Sequence, residues 1–195
     1  MNRPLRQDAA ERRERLLKAA EEAFAREGLD APLHLIAEQA GVGRATLYRN
    51  FADRSELALA VFVQQIEDLG RRTRTRLDDP DAFIWFLEQV TRLMLDNAGL
   101  SSAIRDLKDE ALAPIRRGMK QAGAEALAAS QAAGRVRGDL TTEDIRVITL
   151  MLGAPSRTVA PQDREALSRR SLELVLDAIR PRPADHKGDQ TGEAA

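Results

Sequence analysis

Apolar positions recur every three to four residues along most of the chain. Leu16, Ala20, Ala23 and Phe24 fall on one stripe between Asp8 and Glu27, with arginines and glutamates elsewhere, which predicts a first helix closed by Gly28. A second helix of barely two turns starts at Pro32, whose fixed φ suits a first helical position. It carries Leu35, Ile36 and Ala40 inward and stops at Gly41. A third short helix after Val42 places Leu47 and Phe51 one turn apart. Asp53 and Glu56 are spaced as a capping box that opens a fourth. Its stripe of Leu59, Phe62, Val63, Ile66 and Leu69 is long enough to leave one small core and enter another.

Asp78, Asp79 and Pro80 interrupt the pattern, and Phe83, Trp85, Phe86, Leu87, Val90, Leu93, Met94 and Leu95 then cover nearly all sides of one helix, which predicts central burial. Helical segments at 101–108 and 110–133 lead to Gly134 and Gly138. Thr141 and Asp144 offer a further start, for a helix running to about Leu152, and residues 161–179 form the last. Beyond Pro181 no apolar period remains, so the tail is expected to be disordered. The expectation is an all-α chain of about nine helices: a three-helix head with an N-terminal arm over residues 1–56, a helical bundle over 57–180 and a tail over 181–195.

Composition narrows the chemistry. Alanine, leucine, arginine and glutamate dominate, while aromatic residues make up 4%. A net charge of -1 excludes adhesion to nucleic acid through bulk positive charge, so any DNA binding must come from locally arranged arginines. With no cysteine there is no disulfide, thiolate catalysis or thiolate metal site. No apolar run approaches the ~20 residues that cross a bilayer, and the first residues lack a signal core, so the expected location is cytoplasmic. His34 and His186 have no companions at metal-ligand spacing, and no cofactor is expected. Glu21-Glu22 and Asp78-Asp79 diverge rather than form an acid–base pair.

The informative stretch runs from Leu35 to Phe51. Ala37 is small where two helices must approach, Gly41 can take a positive φ at the turn and Val42 fills the corner, which is the logic of a helix-turn-helix. At 100° per residue, Leu47 and Phe51 face the core while Ala45, Thr46 and Arg49 face away, flanked by Arg44, Tyr48 and Asn50. Small residues beside donors suit a major groove.

Residues 9 to about 62, through the I-A-x-x-A-G-V run and the following T-L-Y-x-x-F, resemble the DNA-binding domain of the TetR family of regulators. The resemblance implies base contacts near Arg44, Ala45 and Arg49, and phosphate contacts from Gly43, Thr46, Tyr48, Asn50 and Arg54, with Thr46 and Asn50 also within reach of bases. Gly43 stands where a hydroxyl cap is usual, Asn50 replaces a histidine and Arg54 a lysine, and Ala31-Pro32 replaces a threonine-rich region. The segment from Gly134 to Asp144 resembles the one before the eighth helix of many members. Arg3, Arg6, Arg12 and Arg13 read equally as a minor-groove arm or as a solvated helix start.

The resemblance also implies a small-molecule effector, a homodimer on pseudo-palindromic double-stranded operator DNA, and repression relieved by ligand. Phe83, Trp85, Phe86, Met94 and Met119 read as ordinary core by spacing alone. The resemblance turns them toward an effector pocket, with Asp96, Asn97 and Arg105 as polar contributors. Ile145, Ile148, Leu152, Leu167, Leu174 and Val175 are the expected dimer contacts, in a two-fold four-helix arrangement. The alternatives are an activator of the same fold or one governed by a protein partner. A helical enzyme is disfavoured by the lack of a nucleophile, a phosphate loop or a His–carboxylate set. An architectural DNA protein is disfavoured by the balanced charge.

Overall fold

The computed structural model describes residues 3–99 and 110–181. The helical segment expected at 101–108, Arg105 within it, and the tail beyond Pro181 lie outside the described residues. Eight α-helices occur among those described: α1 (Arg3–Glu27), α2 (Leu33–Gln39), α3 (Arg44–Asn50), α4 (Arg54–Arg74), α5 (Ala82–Asp96), α6 (Ala113–Ala132), α7 (Thr142–Thr158) and α8 (Pro161–Ile179). The all-helical expectation holds, and no strand is present among the described residues.

Several boundaries shift. Helix α1 begins at Arg3 rather than Asp8. Pro32 sits outside α2 as its extended N-cap residue rather than inside its first turn. Helix α7 continues through Pro155 instead of stopping near Leu152, because Pro155 and Ser156 are buried and packing carries the helix past a residue that would otherwise end it. At α4, Asp53 accepts from the Glu56 N–H at 2.8 Å as expected. Glu56, however, reaches one residue further back, accepting from the Ala52 N–H at 2.5 Å.

Two hydrophobic clusters divide the molecule, and α4 belongs to both. Leu16, Ala20, Phe24, Ile36, Leu47 and Phe51 form the first with Leu57, Ala58 and Val61 of α4. Phe62, Ile66 and Leu69 of the same helix enter the second, built around Phe83, Phe86, Leu87 and Val90 of α5. Along α4 the packing passes from the first cluster at Val61 to the second at Phe62. As its sequence implied, α5 is central, touching α4, α6, α7 and α8. Its Phe83 N–H, one of the orphan donors of a helix start, donates to the fully buried Ser130 hydroxyl of α6 at 3.0 Å. Helix α4 lies along α6, where Gly118 and Gly70 allow close approach.

Candidate nucleic-acid interface

The geometry of the head begins at Gly41. Its φ of 66° lies in the left-handed region that glycine occupies freely. The Val42 N–H donates to the Ala37 carbonyl and the Gly41 N–H to that of Glu38, both at 3.0 Å, which closes α2 and turns the chain into α3. Leu47 and Phe51 are each 1% exposed, so they anchor α3 in the head core as its spacing required. Arg44, Ala45, Tyr48 and Arg49 consequently face solvent, Gly43 with them, and Thr46 and Asn50 are half-buried.

Not every expected contact residue is free to meet DNA in the same way. Arg49 donates to the Thr46 hydroxyl at 3.0 Å, which holds its guanidinium on the outer face of α3. Asn50 donates its amide N–H to the Thr46 carbonyl at 2.8 Å. Arg54, expected to bind phosphate, donates through one guanidinium nitrogen to the Leu29 and Ala31 carbonyls, tying the start of α4 to the turn before α2. Arg15 of α1 likewise donates to the Ala40 carbonyl at 3.2 Å. These arginines brace α2 against its neighbours, a role that periodicity did not signal. Of the proposed arm, Arg13 lies 4.6 Å over the Phe51 ring, on the side of a helix start rather than a free arm.

In the second cluster the expected pocket residues within the described chain take different positions. Phe83 and Phe86 are fully buried and stacked, with ring centroids 6.0 Å apart, and Met119 is buried with them. Met94 packs on the edge of that core. Trp85 faces α4, between Arg72 and Arg76, whose guanidinium carbons lie 5.3 and 4.9 Å from its ring centroid. Asn97 donates to the Leu93 carbonyl at 2.8 Å. A groove of about 600 Å³ opens elsewhere, between α5 and α8, bordered by Thr91, Arg92, Asp96, Arg164, Glu165 and Leu172.

The expected dimer contacts fall into two groups by exposure. Ile145, Ile148, Leu152 and Val175 are buried in the chain's own core. Leu167 and Leu174 are exposed, as are Val147, Leu150 and Met151, so α7 and α8 each carry apolar side chains on their outward sides. No described helix is long and apolar enough to cross a membrane. No cluster of three metal-ligating side chains occurs among the described residues.

Comparison with known proteins extends this picture. The family model "Bacterial regulatory proteins, tetR family" matches residues 16–61. "Transcriptional regulator SbtR-like, C-terminal domain" matches residues 79–181, more than half of the chain. The crystal structure of a TetR regulatory protein from Mycobacterium vanbaalenii is 30% identical with a TM-score of 0.62, covering 91% of this chain and 99% of that one. RolR, solved in complex with resorcinol, is 20% identical with a TM-score of 0.60, covering 86% and 89%, a likeness of fold alone. The HTH-type transcriptional regulator SAB2452 of Staphylococcus aureus is 33% identical over 76 residues, 38% of this chain and 41% of the relative's length. With a reading face on α3, a turn closed by Gly41 and both halves matched, the chain belongs to the TetR family and is a DNA-binding regulator of transcription rather than an enzyme.

Proposed function

We propose that the protein is a cytoplasmic homodimeric repressor that occupies a pseudo-palindromic operator and leaves it when a small molecule binds the α4–α8 body. The observation that carries this reading is the exposed face of Arg44, Ala45, Tyr48 and Arg49 over a core anchored by Leu47 and Phe51. It can enter a major groove without unfolding anything.

Dimerisation is supported by Val147, Leu150, Met151, Leu167 and Leu174, which are between 43% and 55% exposed on two adjacent helices. A surface patch of this kind is stable when it meets its own copy across a two-fold axis. Two heads on one face of DNA then favour half-sites about one helical turn apart. The α5–α8 groove, about 600 Å³, is of a size that takes a small ligand. The same fold in RolR was solved with resorcinol bound.

The experiment is selection of operator from random duplexes, nuclease protection of the selected site, and a reporter driven from it with and without the protein. A two-fold protected site, reporter output that rises when the protein is absent, and release by a small molecule from a metabolite library support the reading. Protection of one asymmetric half-site, or reporter output that falls without the protein, overturns it.

A further inference from the structure

Leu57 and Val61 of α4 stand one helical turn apart in the head core, and the next position in that row is Gln65. Phe62 and Ile66, on either side of Gln65 along the helix, already pack in the core of the body. The Gln65 amide N–H donates to the Glu21 carboxylate of α1 at 2.8 Å. Glu21 itself lies between Leu17 and Phe24, which both pack in the head core. The bond therefore joins the head to a stretch of α4 that belongs to the body. Both side chains are half-buried, and the Gln65 Oε1 is buried with no hydrogen-bond partner.

That orphaned oxygen makes glutamine a poor choice for stability. A leucine would continue the row of Leu57 and Val61 and leave no buried polar atom unpaired. What leucine lacks is direction. Apolar contact depends on area and lets two helices slide or tilt, whereas a hydrogen bond to a carboxylate weakens steeply when misaligned. The Glu21–Gln65 bond thus fixes α1 on α4 where packing alone leaves the register soft. A position that breaks the rule for a stable core is where a functional constraint is expected.

We propose that Gln65 is a positioning residue for operator recognition: by tying α1 to the body end of α4 it fixes the angle of the head, and with it the half-site spacing that two heads accept. It acts through α1 rather than by touching DNA. The inference rests on the dimeric operator-binding reading and adds a specificity determinant to it.

Each base pair inserted between half-sites moves them apart by about 3.4 Å and turns one of them about the duplex axis by roughly 35°. Heads held at a fixed angle cannot follow such a change, and heads free to tilt can. A hydrogen bond to a charged group is worth about tenfold or more in an equilibrium constant, so losing this one should relax the preference for the selected spacing by about tenfold.

The test measures affinity of the full chain for the selected operator and for duplexes with one base pair added or removed at its centre, beside urea midpoints. The wild type is expected to discriminate against both altered duplexes. Gln65→Leu should bind the three more nearly alike while its urea midpoint stays the same or rises, a combination that a purely structural role does not produce. Glu21→Ala breaks the bond from the other side and should relax the preference to the same extent, with no further loss in the double variant. Glu21→Gln keeps an acceptor for the Gln65 N–H and brings a donor to its unpaired oxygen, so it should retain the preference and raise the midpoint. Wild-type discrimination in both Gln65→Leu and Glu21→Ala, or losses equal on all three duplexes, would overturn the proposal while leaving operator binding intact. So would a wild type that protects both half-sites yet tolerates the altered spacing. A wild type that protects a single half-site, or treats selected and random duplex alike, would overturn the dimeric operator reading itself.

Discussion

Gly118 of α6 lies so close to Ile66 of α4 that a β-carbon built on it would come 2.7 Å from the Ile66 Cγ2. Helix α4 holds the head at one end, so this contact fixes where the head stands relative to the body. Gly118→Ala gains about 1 kcal/mol of helix propensity and costs about 1–3 kcal/mol of overpacking, for a net loss of roughly 0–2 kcal/mol in chemical denaturation. The larger expected effect is on operator affinity, because α4 must shift. Ile66→Leu, which removes the branch at Cβ, should restore binding in the double variant. A strictly additive double-mutant cycle would show that the contact does not set the head.

Arg49 stands on the outer face of α3 with its guanidinium against the Thr46 hydroxyl. If it reads a guanine edge, Arg49→Ala costs about 1–3 kcal/mol on the selected operator and relaxes preference at one base pair. Competition binding against operators varied at each position measures this. Equal losses on selected and random DNA would instead make Arg49 a phosphate contact.

The outward face of α7 and α8 predicts the oligomer. Leu150→Glu with Leu174→Glu places two charges on each copy of a face that is apolar and solvent-exposed in the single chain. Sedimentation at micromolar concentration should report a dimer for the wild type and a monomer of unchanged helicity for the variant. Leu152→Glu should unfold the chain instead, because Leu152 is fully buried in its own core.

The start of α7 is sensitive to acid. The Thr141 N–H donates to the Asp144 carboxylate at 2.7 Å and the Thr141 hydroxyl at 2.9 Å, and the first of these is the main reason its pKa is lowered. A lowered value in the folded state means that the capped carboxylate stabilises the fold above the ordinary carboxylate range and stops doing so as pH falls through that range toward the lowered value. Urea midpoints of the wild type should therefore fall more steeply than those of Asp144→Asn between about pH 5 and pH 3. The Asp81–Arg135 pair, which also lowers the Asp81 pKa, acts in the same direction and is common to both proteins. Parallel profiles would remove Asp144 from the acid response.

How much of this was legible in the sequence depends on the kind of question. Local rules gave the last helix and the turn at Gly41, because proline, glycine and a 3.6-residue period act within a few positions. The reading face of α3 followed from the same period once Leu47 and Phe51 were assigned inward. The carbonyl partners of Arg54, Leu29 and Ala31, were not legible because they lie 25 and 23 residues away, where periodicity carries no information. Helix α7 is apolar on two sides. Ile145, Ile148 and Leu152 turn inward and Val147, Leu150 and Met151 outward, and a stripe alone does not say which side the chain keeps for itself. Spacing alone read Trp85 as ordinary core, and only the family resemblance turned it toward a pocket. Only the fold shows the two arginines that cover it.

That covering bears on induction. Arg72 is in the last turn of α4, Arg76 follows just beyond it, and both guanidinium groups sit over the Trp85 ring of α5. A ligand that displaces α4 relative to α5 must disturb this stack, even from a site that does not touch Trp85. The chain has one tryptophan, so its emission reports α4 rather than ligand contact. An effector that releases operator should change Trp85 fluorescence with the same midpoint as release. It should also bind more weakly to the operator complex by the factor through which it weakens operator binding, about 5- to 150-fold for a coupling of roughly 1–3 kcal/mol. In Arg72→Ala the emission should respond less, while the ligand's affinity for the free protein stays the same. A ligand that releases operator and leaves Trp85 emission unchanged in the wild type would show that α4 reaches its released position without moving against α5, and the head would then have to be uncoupled elsewhere along the helix.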